Sequence, residues 1–193
     1  MTGKLIVITG LDGSGTSSVA EALCHCDPAG TLFKTPGPAF DQCRHLLDGD
    51  VRMQSPAAHY LFYLSSVVHA SSQIEESLKT RNVYCVRYLI DTVVSHRVAG
   101  LNVELQYECS YYTIKKPDVT LFVTIDEGVR QDRITRRGKS DLDKVLDDPV
   151  QRARFLKEFE RYSDQYHLVD NSTNEMEQAV QTATSYLPWV NKR

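Results

Sequence analysis

The apolar run Leu5-Ile-Val-Ile8 passes directly into a glycine-rich turn, Gly10-Leu-Asp-Gly-Ser-Gly15, followed by Val19, Ala20 and Leu23 at helical spacing. A short, continuous apolar run of this kind reads as a parallel strand buried on both faces. Strand, tight turn and helix are therefore expected in immediate succession. Such a junction aims the unpaired N–H groups of the helix's first turn, and the positive end of its dipole, at an anion. Gly10, Gly13 and Gly15 permit the backbone turns and close approach that this needs. The spacing follows the phosphate-binding pattern G-x-x-x-x-G-K-[ST] at Gly10, Gly15 and Ser17, but Thr16 stands where the lysine belongs. Ser17 keeps the hydroxyl suited to Mg²⁺, and Ser14, Thr16 and Ser18 complete the set expected around the phosphates. Glycines alone would be an ordinary tight turn; strand, spacing and serine together point to a phosphorylated ligand.

Further strand-like runs occur at Thr31–Lys34, Val83–Arg87, Val119–Ile125 and His167–Val169, alternating with helical stretches. That alternation predicts an α/β fold: a mostly parallel five-stranded sheet in three layers, with helices on both faces. A length of 193 residues suits one domain spanning 1–193. Pro36-Gly37-Pro38 marks a loop after the second strand. Pro56 opens a long helix expected to reach Lys79, with Leu61, Leu64, Val67, Val68 and Ile74 on its apolar side. Ser172 to Leu187 reads as a closing helix that Pro188 helps to end.

A net charge of −3 with 24% charged residues argues against a nucleic-acid surface. No apolar stretch approaches the length of a membrane span, and the N-terminus enters a strand without a signal segment, so a cytoplasmic protein is expected. Cys24, Cys26, Cys43, Cys85 and Cys109 are then expected as reduced thiols. Cys24-His25-Cys26 lacks a second cluster of matching spacing and reads as structural rather than as a zinc site. Asp126 to Lys144 holds the densest charge, including Arg130, Arg133, Arg136 and Arg137. A solvated helix face is the plain reading. Because the segment follows a strand whose C-terminal end lies on the ligand side of a parallel sheet, a lid over a polyphosphate is the sharper one, at about 136–147. His45, His59, His69 and His167 read as structural or surface residues. Tyr107, Tyr111 and Tyr112 are expected in helix packing or a pocket rim, and Trp189 as a packed C-terminal anchor.

With these features in order, the chain resembles the thymidylate kinases, within the wider nucleoside and nucleotide kinase group of P-loop proteins. Gly10-Leu-Asp-Gly-Ser-Gly15 is similar to the family's G-[LI]-[DE]-G-x-G loop, and Lys34-Thr-Pro-Gly37 to its R-E-P-G. Leu61-Phe-Tyr63 resembles the start of its long helix and Val86-Arg-Tyr88 its D-R-Y. Lys116-Pro-Asp-Val-Thr120 is similar to the approach to its fourth strand, Arg133-Ile-Thr-Arg-Arg-Gly138 to its lid helix, and Asp170-Asn-Ser172 to its adenine loop.

The resemblance implies a P-loop NTPase fold, ATP and Mg²⁺ as donor and metal, and a small-molecule acceptor. It implies that amides of Gly13 to Ser17 cradle phosphates, with Ser17 near Mg²⁺, and that Asp12 faces the acceptor sugar. Lys34 and Arg87 would contact the acceptor or transferring phosphate. Phe62 would stack on the acceptor base, and Arg133, Arg136, Arg137 and Asn171 would close over the donor. Ser14 is not basic, which in this family goes with arginines supplied by the lid. The family also commonly forms homodimers, for which the helix from Pro56 offers a surface.

The departures concern charge and the base edge. Thr16 lacks the ammonium and Val86 the carboxylate of D-R-Y, while Ser66 stands at the arginine that reads thymine. Asp91, Thr92, Ser95 and His96 fall in the segment that shapes the base and sugar pocket. A site that loses hydrogen-bond donors at a polar edge relaxes its choice. Phosphoryl transfer to a nucleoside monophosphate with altered base specificity is the first expectation. A phosphate-free acceptor and a non-catalytic nucleotide-binding pseudokinase are the alternatives.

Overall fold

A computed structural model describes residues 2–139, 141–173 and 175–190. The chain runs through β1 (Leu5–Gly10), α1 (Thr16–Cys26), β2 (Gly30–Lys34), α2 (Pro38–Leu46), a π-type turn (Leu47–Val51) and α3 (Arg52–Gln54). Next come α4 (Pro56–Ser77), β3 (Asn82–Val86), α5 (Leu89–Val98) and a small hairpin, β4 (Glu108–Cys109) with β5 (Tyr112–Thr113). The remainder is β6 (Val119–Thr124), α6 (Glu127–Arg137), α7 (Asp141–Asp147), α8 (Pro149–Glu160), β7 (His167–Asp170) and α9 (Met176–Ser185).

The main sheet has the order β2-β3-β1-β6-β7, and every pair in it is parallel. β1 is central and its side chains are buried from end to end. Because successive side chains of a strand point to opposite faces, its apolar run divides between two cores. Leu5 and Val7 join Leu64, Val67 and Ile74 of α4, Val93 and Val94 of α5 and Phe155 and Phe159 of α8. Ile6 and Ile8 join Val19, Ala20 and Leu23 of α1 and Ala179 and Ala183 of α9. This is the three-layer α/β architecture expected from the alternation of elements, and Trp189 packs against the second core as anticipated.

Local chemistry sets the boundaries. Ser55 accepts a hydrogen bond from the Ala58 amide at 3.3 Å and Pro56 occupies the first position of α4, a capped start. The helix ends at Ser77, short of Lys79. Leu61, expected on its apolar side, is 60% exposed. It shares its side of the helix with Ser65 and Ser72, both exposed, at the edge of the stripe formed by Leu64, Val67 and Ile74. The closing helix begins later than Ser172, because the Asp170 carboxylate takes both the amide and the hydroxyl of that residue. Tyr112 lies in the β4–β5 hairpin and Tyr111 in its turn, and Tyr107 and Tyr112 pack against the core formed with α4, α5 and α8. The helical segment 38–54, unforeseen as such, carries no buried apolar stripe, so periodicity gives no signal there.

The face assignment of α4 makes a direct prediction. Ile74→Ala will lower unfolding free energy by about 3 kcal/mol, as for other large-to-small core changes, whereas Leu61→Ala will stay within about 0.5 kcal/mol. Urea denaturation of the two variants checks it.

Candidate functional site

The turn between β1 and α1 is held from two sides. Gly13 adopts φ +86°, and a Cβ there would lie 2.7 Å from Cδ1 of Ile134 on α6. Gly15 adopts φ +92°, and a Cβ there would lie 2.4 Å from the Asn171 side-chain nitrogen. Both positions therefore need glycine for backbone angle and for space. Asn171, fully buried, donates to the Ser14 carbonyl at 2.7 Å, so it braces the loop from the end of β7. The Ser14 amide donates to Leu11 O at 3.1 Å, which turns it inward and withdraws it from the expected phosphate set. The amides of Thr16, Ser17 and Ser18 belong to the first helical turn and have no intrahelical acceptor. Ser17 and Ser18 are exposed there, while Thr16 is tucked beneath the loop at 7% exposure and brings no charge. The buried Ser14 Oγ and Asn171 Oδ1 have no protein partner. An anion at the helix start fits this cradle. Mg²⁺ fits through the Ser17 hydroxyl, since this ion retains waters and phosphate oxygens beside few protein ligands. No cluster of three ligating side chains exists among the described residues.

Arg87 follows β3 with φ +66°, a left-handed backbone. Its Nη2 donates to Asp12 Oδ1 at 2.5 Å, its Nη1 to Asp91 Oδ1 at 2.8 Å and to the Gly10 carbonyl. Burial works to lower its pKa, but the Asp91 and Asp12 carboxylates raise it above the ordinary value, so the guanidinium is permanently charged. Val86 ends β3 with an apolar, buried side chain in the α1-side core.

The lid arginines divide by partner. Arg133 Nη2 donates to Thr173 O at 2.9 Å, and its Nη1 lies 3.6 Å from the Cβ position of Gly15, beside the loop. Arg136 is exposed in the last turn of α6. Arg137 forks onto both oxygens of buried Asp143 at 2.9 and 2.7 Å, which binds α6 to α7 and draws this arginine away from the expected position over the phosphates. Sequence reasoning passed over Arg130 as one charge among many, yet it is fully buried. It donates to Glu127 at 2.8 Å, to the Asp12 carbonyl at 3.1 Å and to Leu146 O at 3.2 Å, joining loop and lid. Its spacing from Glu127 and Ile134 on one helical face was the available signal. Lys139 pairs with Asp147 at 2.7 Å, and Lys34 is exposed at the end of edge strand β2.

The opposite wall is aromatic and closed. Phe62 packs on Phe40 and Tyr63, with ring centroids 5.6 and 5.4 Å away. Ser66 is buried, and its hydroxyl donates back to Tyr63 O at 2.7 Å, so it reads no ligand edge in this conformation. Ser95 is half-buried and Thr92 buried. His96 Nδ1 lies 2.6 Å from Thr92 O, and a carbonyl only accepts, so Nδ1 carries the proton. His96 Nε2 faces His59 Nδ1 at 2.7 Å, and His59 Nε2 meets Asp48 Oδ1 at 2.9 Å. Asp48 also accepts from Tyr63 OH at 2.6 Å and Arg44 Nε at 3.0 Å. His59, expected as a structural or surface residue, is thus the link between the 38–54 segment and α5, a buried structural role.

Fold and site together define a phosphate-binding-loop kinase scaffold of the nucleotide kinase type. The thymidylate kinase family model matches residues 8–183, and the chain belongs to the thymidylate kinase family. It is similar to the probable thymidylate kinase of Methanocaldococcus jannaschii, 24% identical over 186 residues that cover 94% of each chain. It is also similar to the thymidylate kinase of Chlamydia caviae, 29% identical over 202 residues, 94% of this chain and 96% of that one. The thymidylate kinase structure from Candida albicans aligns with a TM-score of 0.73 at 19% identity, covering 97% of this chain and 92% of that one. The Ehrlichia chaffeensis enzyme gives 0.68 at 16% identity, covering 97% and 100%. At these identities the structural likeness establishes a common fold. No helix of the described residues is long and apolar enough to cross a membrane.

The His59–His96 pair predicts a pH effect. Burial first, then His59 and Arg52, pulls His96 down to about 4, against the Thr92 carbonyl and Asp48. Burial alone would raise Asp48, but hydrogen bonds from His59, Tyr63 and Arg44 hold it at about 2. Tyr60 packs edge-on to His96. A depressed native histidine pKa means that stability is complete above the ordinary value near 6.5 and is lost as pH falls through about 4. The expected loss is on the order of 2 kcal/mol, with Asp48 adding to it at still lower pH. Denaturant unfolding from pH 7 to pH 4 will show this slope in the wild type and a flatter one in His96→Gln.

Proposed function

We propose that this protein transfers the terminal phosphoryl group of ATP to a small acceptor, foremost a nucleoside monophosphate, and that it selects the acceptor base differently from thymidylate kinases. The observation that carries the reading is the juxtaposition at the end of β1: an anion cradle at the start of α1, with Arg87 and Asp12 paired directly beside it. Phosphoryl transfer requires positioning and stabilisation of charge more than covalent chemistry, and these groups are suited to both. The first-turn amides and Ser17 would hold the donor phosphates. Arg87 would meet the acceptor phosphate once its Nη2 exchanges Asp12 for it, leaving Asp12 to accept from a sugar hydroxyl. Mg²⁺, when bound, draws off negative charge from the phosphate oxygens. Arg133 and Arg136 would close on the donor side, with Asn171 bracing the loop from behind, and Lys34 and Phe62 would line the acceptor side.

Altered base selection is supported by three side chains. Ser66 is closed on its own helix, and Thr92 and His96 are buried, with His96 held by the Thr92 carbonyl and His59. None of them presents a guanidinium to a thymine edge. The Candida albicans thymidylate kinase has a broad substrate specificity, which is compatible with a variable acceptor wall on this fold. A non-catalytic nucleotide-binding role is the second reading, favoured by two specific features: buried, uncharged Thr16 at the lysine position and apolar Val86 at the end of β3.

Release of ADP from MgATP across nucleosides, nucleoside monophosphates and sugars tests the choice. Transfer to a monophosphate other than dTMP is expected to dominate. A preference for dTMP would overturn the base-selection proposal, and binding of MgATP by calorimetry without turnover would favour the second reading. Thr16→Lys should raise turnover by about 10²–10³-fold, the scale associated with one preorganised electrostatic group. An unchanged or lower rate would mean that the charge is already supplied by another side chain.

A further inference from the structure

We infer that Asp91 is the positioning residue of Arg87, a carboxylate in the first turn of α5 that fixes one end of the guanidinium while leaving the other end exchangeable. The inference rests on the reading of Arg87 as the group that meets the acceptor phosphate.

Arg87 is the only non-glycine residue with positive φ among the described residues. A left-handed backbone at such a residue is sterically strained and persists where surrounding contacts over-determine it. Asp91 supplies those contacts. Its Oδ2 accepts the amide of Tyr88, the residue directly after the bend, at 2.9 Å. Its Oδ1 accepts from Arg87 Nη1 at 2.8 Å and from the Thr9 hydroxyl at 2.6 Å. One carboxylate therefore joins the end of β1, the bend after β3 and the start of α5. It is 14% exposed, and the contacts just named occupy both its oxygens.

The two ends of the guanidinium are held differently. Nη1 is pinned between Asp91 and the Gly10 carbonyl, both on rigid elements. Nη2 meets Asp12, which sits on the loop and is 26% exposed. Two carboxylates on one guanidinium leave a net negative charge, so an incoming dianion is accommodated best if one of them yields. Asp12 is the one able to do so, because among the described residues its carboxylate bonds to Arg87 alone, while Arg130 holds its backbone carbonyl. Asp91 cannot leave without releasing Thr9 and the Tyr88 amide. Val86, whose side chain is buried among Ile6, Ile8 and Val19, offers this corner no polar atom. The carboxylate arrives instead from the helix that follows.

The first readout is NMR of Arg87 in the intact protein, which needs no activity. Separate Nη1 and Nη2 signals, the mark of hindered rotation, are expected in the wild type and in Asp12→Asn, and averaged signals in Asp91→Asn. Equal averaging in both variants, or in neither, would overturn the inference. The second readout is kinetic. Asp91→Asn should raise the acceptor KM by about 10–100-fold, the scale of a misplaced binding group, with MgATP affinity by calorimetry within about twofold of wild type. Asp91→Glu should recover part of the loss. An active wild type with an unchanged Asp91→Asn would sink the positioning role alone. A wild type inactive on every acceptor would sink the functional reading, while the NMR comparison would still decide the positioning of Arg87.

Discussion

Everything chemical in this protein depends on β1 being enclosed on both faces and then forced to stop. In the middle of a parallel sheet its backbone groups are paired on both edges, to β3 and to β6. Beyond Gly10 there is no ladder to continue, and the chain must turn within a space bounded by Ile134 and Asn171. Only glycine satisfies both the angle and the clearance at positions 13 and 15. The turn delivers the start of α1 at the open end of the sheet, where unpaired amides and the helix dipole create positive potential without any charged side chain. The cradle is a consequence of topology, and this is why it survives replacement of the loop lysine by threonine.

The charged side chains around the cradle are organised by compensation. Arg87 is balanced by Asp12 and Asp91, Arg130 by Glu127, and Arg137 by Asp143. A buried charge would be prohibitively costly alone, so each is supplied with a counter-charge: Arg130 is the buried member of its pair, Arg87 is largely buried between two carboxylates, and Asp143 is the buried member of its pair with exposed Arg137. The consequence is that positive potential at the site is conditional: it appears where a pair can exchange partners, as at Asp12, and not where a pair is locked, as at Asp143. Arg130 uses the same chemistry for a mechanical purpose, since its contacts with Asp12 O and Leu146 O join the loop, α6 and α7.

The centre of the sheet was legible in the sequence because β1, β3 and β6 are buried along most of their length, and such burial writes itself as an apolar run; the edge strands β2 and β7 are more exposed and their runs are shorter. The cradle was legible because glycine spacing reflects a backbone requirement. The long helix was legible from Leu64, Val67 and Ile74, and misread at Leu61, since a helical period places a residue on a face without saying what covers that face. Segment 38–54 was illegible: its function in the fold comes from polar contacts, Arg44 and Asp48 with Tyr63 and His59, and such contacts have no periodicity.

Sequence alone determined the strand–turn–helix junction, the parallel α/β architecture, membership of a kinase-like group and the absence of a loop ammonium. These depend on local backbone demands and on burial patterns, which are properties of neighbouring residues. Tertiary structure alone decided which arginine serves which purpose. Arg130, Arg133 and Arg137 are near-identical in a charge-rich string, yet one is a buried strut, one flanks the loop and one is tied to α7. Charge pairing is chosen by distance in space, and the three side chains leave α6 at different angles, toward the loop at Asp12, toward Thr173 and toward α7.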